Sequence, residues 1–164
     1  MIGLWRLLLL LAGLLFTSQA SALCTLVCSC TVSTTAVVFS AHNPLSPSAN
    51  DMTGKVRVDC GGVAGLAIPY TIAISAGTSG SMAARQMASG AKRLSYNLFT
   101  TNGRTTVWGD GSGSTATVGG GFVLDLLGLA PPHDVTVYGR IPGAQGAVAP
   151  GAYTDTLVVT LTYF

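Results

Sequence analysis

The stretch GKVRVDC, residues 54–60, decides the fold class of this chain. Its residues Val56, Val58 and Cys60 alternate with two basic residues and one acidic residue. An alternation with a period of two places the apolar side chains on one face of an extended strand and the charged ones on the other. The stretch therefore predicts a half-buried β-strand that ends at a cysteine.

The same alternation recurs on both sides of this stretch. Further strands are predicted in TVSTTAVVF (31–39), IPYTIAIS (68–75), LSYNLF (94–99), RTTVW (104–108), DVTVYGRI (134–141) and TDTLVVTLTYF (154–164), with GFVLDLL (121–127) as either a strand or a helical turn. Segments rich in Gly, Pro, Ser and Asn separate them, and no segment keeps a helical period. The pattern predicts one all-β domain, an immunoglobulin-like β-sandwich of about seven short strands.

The first 22 residues have the pattern of a secretory signal peptide. Arg6 supplies a positive charge, an unbroken apolar run covers residues 7–16, and the segment ends in Ala20-Ser21-Ala22. A basic head, a short apolar run and an A-x-A end are typical of a cleaved signal. The run is much shorter than the roughly 20 residues that a membrane-spanning helix needs. We expect residues 1–22 to be the signal peptide and residues 23–164 to be a single secreted domain without a membrane span.

Export determines how the four cysteines are interpreted, since disulfides persist outside the cytoplasm. Cys24, Cys28, Cys30 and Cys60 allow three pairings. A zinc site needs four ligands at suitable spacing, whereas Cys60 has no cysteine near it in the sequence. We therefore predict two structural disulfides and no metal site.

A crosslink between Cys30 and Cys60 would join two neighbouring strands and close a loop of about 30 residues, which is worth roughly 3–4 kcal/mol. Cys24 and Cys28 would then pair locally and stabilise the fold little. The sequence alone leaves the pairing of the three clustered cysteines open.

Charge and motif content argue against nucleic-acid binding and catalysis. The chain has 8 basic and 6 acidic residues, so the segment after the signal is close to neutral, whereas nucleic-acid binding calls for clustered Lys and Arg. No G-x-S-x-G nucleophile motif occurs. His42 and His133 lie near prolines and are predicted to be solvated loop residues, and Trp108 is predicted to be a packed or partly exposed strand residue. We expect no catalytic residues, no cofactor and no enzyme activity.

Blocks along nearly the whole predicted domain resemble a known family. They are CTVSTTAVVF (30–39), NPLS (43–46), GKVRVDC (54–60), RQMASG (85–90), LSYNLFTTNGRTTVWGDG (94–111), VYGRIPGAQ (137–145) and GAYTDTLVVTLTY (151–163). In this order they resemble the spore coat protein U domain family, whose members include secreted subunits of archaic chaperone–usher pili.

The resemblance implies an immunoglobulin-like sandwich that lacks its last strand. A periplasmic chaperone would fill the gap first and the N-terminal strand of a neighbouring pilus subunit would fill it later, which is strand addition to an open sheet edge. The C-terminal strand (156–164) would border this groove through Leu157, Val159, Leu161 and Tyr163. The subunit would be secreted via the periplasm, and an outer-membrane usher would add it to a cell-surface pilus that serves attachment and biofilm formation.

The N-terminal segment predicts a special position in such a fibre. A donor strand needs an extended alternating segment, and only LCTLVCS (23–29), with two cysteines in it, precedes Cys30. A chain that accepts a strand but cannot donate one would be a tip, minor or terminating subunit. The alternatives are a free-standing spore-coat or extracellular-matrix protein, and a carbohydrate-binding domain or enzyme.

Overall fold

This computed structural model describes residues 28–63, 67–124, 127 and 129–164. Within these residues the chain forms eleven strands and a short 3-10 turn at Gly77–Ser79. The strands are β1 (Ser29–Thr35), β2 (Asn50–Gly61), β3 (Ala67–Ile74), β4 (Gln86–Ser89), β5 (Lys92–Ser95), β6 (Asn97–Phe99), β7 (Val107–Trp108), β8 (Thr115–Ala116), β9 (Val118–Val123), β10 (His133–Ile141) and β11 (Val159–Tyr163). Nowhere in these ranges is there a helix long and apolar enough to cross a membrane.

The strands form two main sheets and a small hairpin. The larger sheet has the order β1-β2-β10-β6-β7-β8, and the smaller one has the order β11-β3-β9. The hairpin consists of β4 and β5. Apart from the parallel contact of β7 with β8, all strand pairs are antiparallel. The chain is an all-β sandwich, as the alternation predicted.

The core lies between the inward-facing rows of the two sheets. Val56, Val58 and Cys60 of the opening stretch are at most 2% exposed, so the face assigned from the sequence is the buried one. The side chains that join them in the core include Ile68, Tyr70, Ile72, Ile74, Trp108, Phe122, Val137 and Ile141. Because these rows come from both sheets, the core depends on the two sheets packing against each other.

The sandwich also contains a fully buried arginine that the sequence analysis missed. The guanidinium of Arg85 donates hydrogen bonds to the backbone oxygens of Ile74, Ser75 and Trp108 and to Asn97 Oδ1, at 2.8 to 3.1 Å. These acceptors lie at the ends of strands in both sheets. Arg85 therefore satisfies backbone oxygens where the regular ladders stop.

A disulfide joins Cys30 of β1 to Cys60 of β2, and the two residues are direct cross-strand partners. This is one of the three pairings that the sequence allowed. Cys28 is also disulfide-bonded, but its predicted partner Cys24 lies outside the described residues. Residues 1–22, the predicted signal peptide, lie outside them as well.

The strands are more numerous than the seven predicted, and several of them are shorter. The segment LSYNLF is two strands, because the chain leaves its pairing with β4 at Ser95 and joins β10 from Asn97 onward. Between them the Tyr96 amide donates to the Arg85 backbone oxygen instead of to a ladder partner. The ambiguous segment 121–127 contains the end of a strand, and the C-terminal ladder begins only at Val159.

The prediction that His133 is a solvated loop residue was wrong. His133 begins β10, its ring stacks on Phe122 at 4.1 Å between centroids, and its Nδ1 lies 3.2 Å from the Tyr70 hydroxyl. The proline pair before it suggested a loop, but the strand begins directly after the turn. His42 is half-buried, and its Nε2 atom is enclosed without a hydrogen-bond partner among the described residues.

An ion-pair cluster on the outer face of the larger sheet gives an acid-sensitive contribution to stability. Arg140 donates two hydrogen bonds of 2.7 Å to the Asp51 carboxylate, and Arg104 lies 3.4 Å from it. The hydrogen bond from Arg140 and the charges of both arginines lower the pKa of Asp51 below its ordinary value, against a smaller opposing effect of burial. A carboxylate whose pKa is lower in the folded state stabilises the fold above its unfolded pKa. That contribution is lost as the pH falls through the folded value.

We expect Asp51→Asn to lower the free energy of unfolding by about 1 kcal/mol at neutral pH, since the pair is bidentate but partly solvated. The difference from the parent should shrink as the pH falls from neutral to strongly acidic, because the parent carboxylate becomes protonated once the pH has fallen through its lowered pKa. Urea unfolding of both proteins at the two pH values measures this. Asp59→Asn is the control, since Asp59 forms no ion pair within the described part of the chain. An equal loss at both pH values would contradict the prediction.

Candidate strand-binding groove

The inward-facing side of β1 is exposed where a complete sandwich would cover it. Val32 lies opposite Val58 and Thr34 lies opposite Val56 in the β1–β2 ladder, and directly opposed side chains share one face of a sheet. Val58 and Val56 are at most 1% exposed, whereas Val32 is 37% exposed and Thr34 is exposed too. The core is therefore uncovered along this edge of the larger sheet.

The facing edge of the smaller sheet is uncovered in the same way. Within the described residues, β11 pairs with β3 alone. Its inward row consists of Val159, Leu161 and Tyr163, which lie opposite buried residues of β3 but are themselves only half-buried. Leu157 continues the row before the strand begins and packs against the core as the others do.

The hydrogen bonds of β11 show which backbone groups point toward the opening. The Phe164 amide donates to the Pro69 oxygen and the Ser75 amide donates to the Val158 oxygen. Because bonding alternates along an antiparallel strand, the even-numbered residues of β11 bond to β3. Val159, Leu161 and Tyr163 therefore direct their backbone N–H and C=O groups to the free side. The same residues offer apolar side chains to the core and unpaired backbone groups to an incoming strand.

A groove of about 790 Å³ opens between these two edges. Residues 34–42 form one wall, and residues 148–155 with Leu157 and Val159 form the other. The floor is apolar and consists of Val56, Ile74, Met87, Leu94, Leu98, Val137 and Ile141. An opening with an apolar floor and an unpaired strand edge is suited to an extended peptide with alternating apolar side chains.

The wall formed by residues 148–155 is held by the carboxylate of Asp155. The Tyr96 hydroxyl donates to Asp155 Oδ2 at 2.7 Å, and the amide and hydroxyl of Thr78 both donate to Oδ1 at 3.0 Å. Burial, followed by the contact with Asp155, raises the pKa of Tyr96. Gly77 has a φ of +67°, and a Cβ there would collide with the Asp155 carboxylate. The hydrogen bonds of Asp155 and its close approach to the backbone at Gly77 therefore hold this wall in place.

The opposite wall depends on two glycines of the larger sheet. A Cβ on Gly54 would lie 2.6 Å from the Thr35 oxygen, and a Cβ on Gly139 would lie 2.6 Å from Val37 Cγ1. These glycines leave room for the chain after β1 to lie across the sheet. From the sequence alone, a glycine needed for such a close approach cannot be distinguished from a glycine needed for a turn.

The structure brings together the residues that the resemblance assigned to the groove edge. Leu157 and Val159 line the groove, and Leu161 and Tyr163 continue the same row beyond it. Cys30 and Cys60 secure the strand of the opposite edge. Trp108 is fully buried, and its indole N–H donates to the Ile72 oxygen at 3.0 Å, so it is a packed core residue. No group of three metal-ligating side chains occurs among the residues that the structure covers.

Comparison with known proteins identifies the family. The profile of the Spore Coat Protein U domain matches residues 15–160, which is most of the chain. The chain belongs to the Spore Coat Protein U domain family. The prediction made from its sequence blocks is thereby confirmed.

This Spore Coat Protein U domain is similar to a curated protein and to a chain of a solved structure. Protein U of Myxococcus xanthus is 33% identical over 115 residues, which cover 68% of this chain and 59% of that protein. A chain in the crystal structure of the CsuC–CsuE chaperone–tip adhesion subunit pre-assembly complex, from archaic chaperone–usher Csu pili of Acinetobacter baumannii, matches with a TM-score of 0.54 and 18% identity. That match covers 82% of this chain and 39% of the other. This domain thus spans about three fifths of the curated relative's length and two fifths of the solved chain's, and the solved structure supports the fold.

Proposed function

We propose that this chain is a structural subunit of a pilus assembled by an archaic chaperone–usher system. The observation that carries the proposal is the pair of facing edge strands, β1 and β11, whose inward rows are left uncovered while their cross-strand partners are buried. Such an edge exposes apolar side chains and unpaired backbone groups, which soluble proteins normally avoid. A strand added beside β11 would cover both.

The proposal places the chain in a defined order of partners. Residues 1–22 direct export, a periplasmic chaperone fills the groove, and an outer-membrane usher then passes the subunit to a neighbouring subunit whose N-terminal strand replaces the chaperone strand. The domain fold that it shares with a chain of a chaperone–subunit complex supports this order. The resulting fibre would lie on the cell surface and serve attachment and biofilm formation.

The short segment before Cys30 supports a tip, minor or terminating position in that fibre. Cys28 is disulfide-bonded and lies only one residue before the start of β1. A donor strand needs about five or six free residues and a linker. A chain that accepts a strand and donates none ends a fibre.

Co-export with the chaperone of an archaic chaperone–usher system tests the proposal. Exported alone, the mature domain should give only a low yield of soluble protein. Co-export should raise that yield and give a complex that holds one chaperone for each copy of the domain, measured by soluble yield and by the ratio of the two chains. Val159→Asp should abolish the complex, because it places a charge on the apolar side of the groove edge. Thr160→Asp is the matched control, since its side chain is exposed on the outer face. A stable monomer obtained without a chaperone would contradict the proposal and favour a free-standing coat or matrix protein.

A further inference from the structure

The smaller sheet has a second open edge, formed by β9. Pro69 of β3 and Ser75, which directly follows β3, form hydrogen bonds on the β11 side. Because bonding alternates along an antiparallel strand, the even-numbered residues of β3 bond to β9. With the register of Tyr70 opposite Gly120, the even-numbered residues of β9 are those bonded to β3. Gly119, Gly121 and Val123 therefore direct their backbone N–H and C=O groups away from the sheet. Within the described residues, no other strand pairs with this side of β9.

Nothing in β9 protects this edge from pairing with another strand. Edge strands are usually blocked by a charged side chain, a proline or a covering segment. The strand VGGGFV contains neither a charge nor a proline, and Gly119, Gly120, Gly121 and Val123 are all exposed, Val123 by 75%. As far as the described residues go, this edge is therefore accessible as well as unpaired.

The glycines of β9 have different structural requirements. A Cβ on Gly120 would collide with the ring of Tyr70, so the protein's own core requires glycine there. A Cβ on Gly119 or Gly121 would meet no atom closer than 3.6 Å, and neither residue has a positive φ. Glycine weakens a strand interior, and in strands it often marks a place where another backbone approaches closely. Nothing inside the described chain requires glycine at positions 119 and 121, so both positions leave room for another backbone to approach from outside.

We propose that β9 pairs in antiparallel fashion with β9 of a second copy of this chain. A two-fold axis at Gly121 places Gly121 opposite its own counterpart and Val123 opposite Gly119 of the second copy. Each valine then faces a glycine, the backbone groups of all the odd-numbered pairs point toward each other, and no charge opposes another. The three-stranded sheets of the two copies join into one six-stranded sheet with an isologous, closed interface. This interface lies on the opposite edge from the groove and does not depend on the proposed function.

Cysteine crosslinking tests the register directly. Hydrogen-bonded antiparallel partners have Cα atoms about 5.5 Å apart, which is within the range that a disulfide spans. After mild oxidation of the folded protein, Gly121→Cys should run mainly as a covalent dimer on a non-reducing gel. Gly103→Cys is the control and should stay monomeric, because Gly103 lies outside β9. It tolerates a cysteine, since it lies in an exposed turn with room for a side chain and without a positive φ. Equal dimer fractions for the two variants would overturn the proposal.

A charged substitution tests the interface without a crosslink. Gly121→Lys adds a blocking charge to the edge, and its light-scattering mass should fall twofold, from the parent's dimer to the monomer. Gly103→Lys should keep the parent's mass. Adding Val159→Asp to Gly121→Cys should leave the crosslink intact, so a failure of the groove proposal and a failure of this one give different results. A Gly121→Lys protein with the same mass as the parent would contradict the pairing.

Discussion

Arg85→Met should lower the free energy of unfolding by about 4 kcal/mol, the largest loss that we expect from a single exchange in this domain. Methionine has a similar volume but donates no hydrogen bonds. It would leave the backbone oxygens of Ile74 and Trp108 buried without the donor that they now share, at 3.1 and 2.8 Å. Each such buried acceptor costs about 1–3 kcal/mol. Because small domains have only about 5–15 kcal/mol of net stability, the variant should be close to unfolding.

Urea unfolding of the mature domain measures this loss. Trp5 lies in the predicted signal peptide, so Trp108 is the only tryptophan after residue 22 and its fluorescence reports the core. Arg93→Met is the matched control, because Arg93 is exposed and the acceptors of its side chain among the described residues are the nearby Gly90 and Lys92 oxygens. We expect the control to stay within about 0.5 kcal/mol of the parent. If the two variants unfolded at the same urea concentration, Arg85 would not hold the strand ends together as described.

Replacing both Cys30 and Cys60 by alanine should cost about 3–4 kcal/mol. The disulfide closes a loop with a sequence separation of 30, and removing it returns that conformational freedom to the unfolded chain. The bond also secures β1, whose inner face is already poorly covered. The double exchange avoids leaving a free thiol that could pair with another cysteine, which a single Cys60→Ser exchange would do.

Export yield and urea unfolding measure the role of this disulfide. Reduced parent protein should unfold at nearly the same urea concentration as the double variant, since the bond to Cys28 lies near the chain start and closes no long loop among the described strands. Oxidised parent should unfold at a clearly higher concentration. Equal stabilities of the oxidised parent and the double variant would show that the bond does not stabilise the domain.

The fold class and the inner face of each long strand were predictable from local pattern. Alternation in residues 54–60 identified the three inward side chains because a strand repeats every two residues. The same period identified Leu157, Val159, Leu161 and Tyr163 as one row. What these residues border is a property of the whole fold, and the prediction that they form a groove edge came from the family resemblance.

Other features could not be read from the sequence because they depend on contacts between distant segments. The sequence around Arg85 gave no sign that this side chain is buried, and its acceptors come from residues up to 23 positions away. His133 followed two prolines, yet it packs on Phe122 and Tyr70 from the other sheet. Gly54 and Gly139 stood inside predicted strands without a stated role, and only the packed structure shows which neighbouring atoms require glycine at positions 54, 120 and 139.

By itself, the sequence determined that this protein is an all-β domain with a cysteine at the end of a buried strand and the blocks of its family. These properties follow from periodicity and residue type, which act over a few residues. Only the tertiary structure decided which edges are left unpaired among the described residues, at β11 and at β9, and which glycines are required by the chain's own packing. Strand order and hydrogen-bond phase are relations between segments far apart in the chain, and no local pattern specifies them.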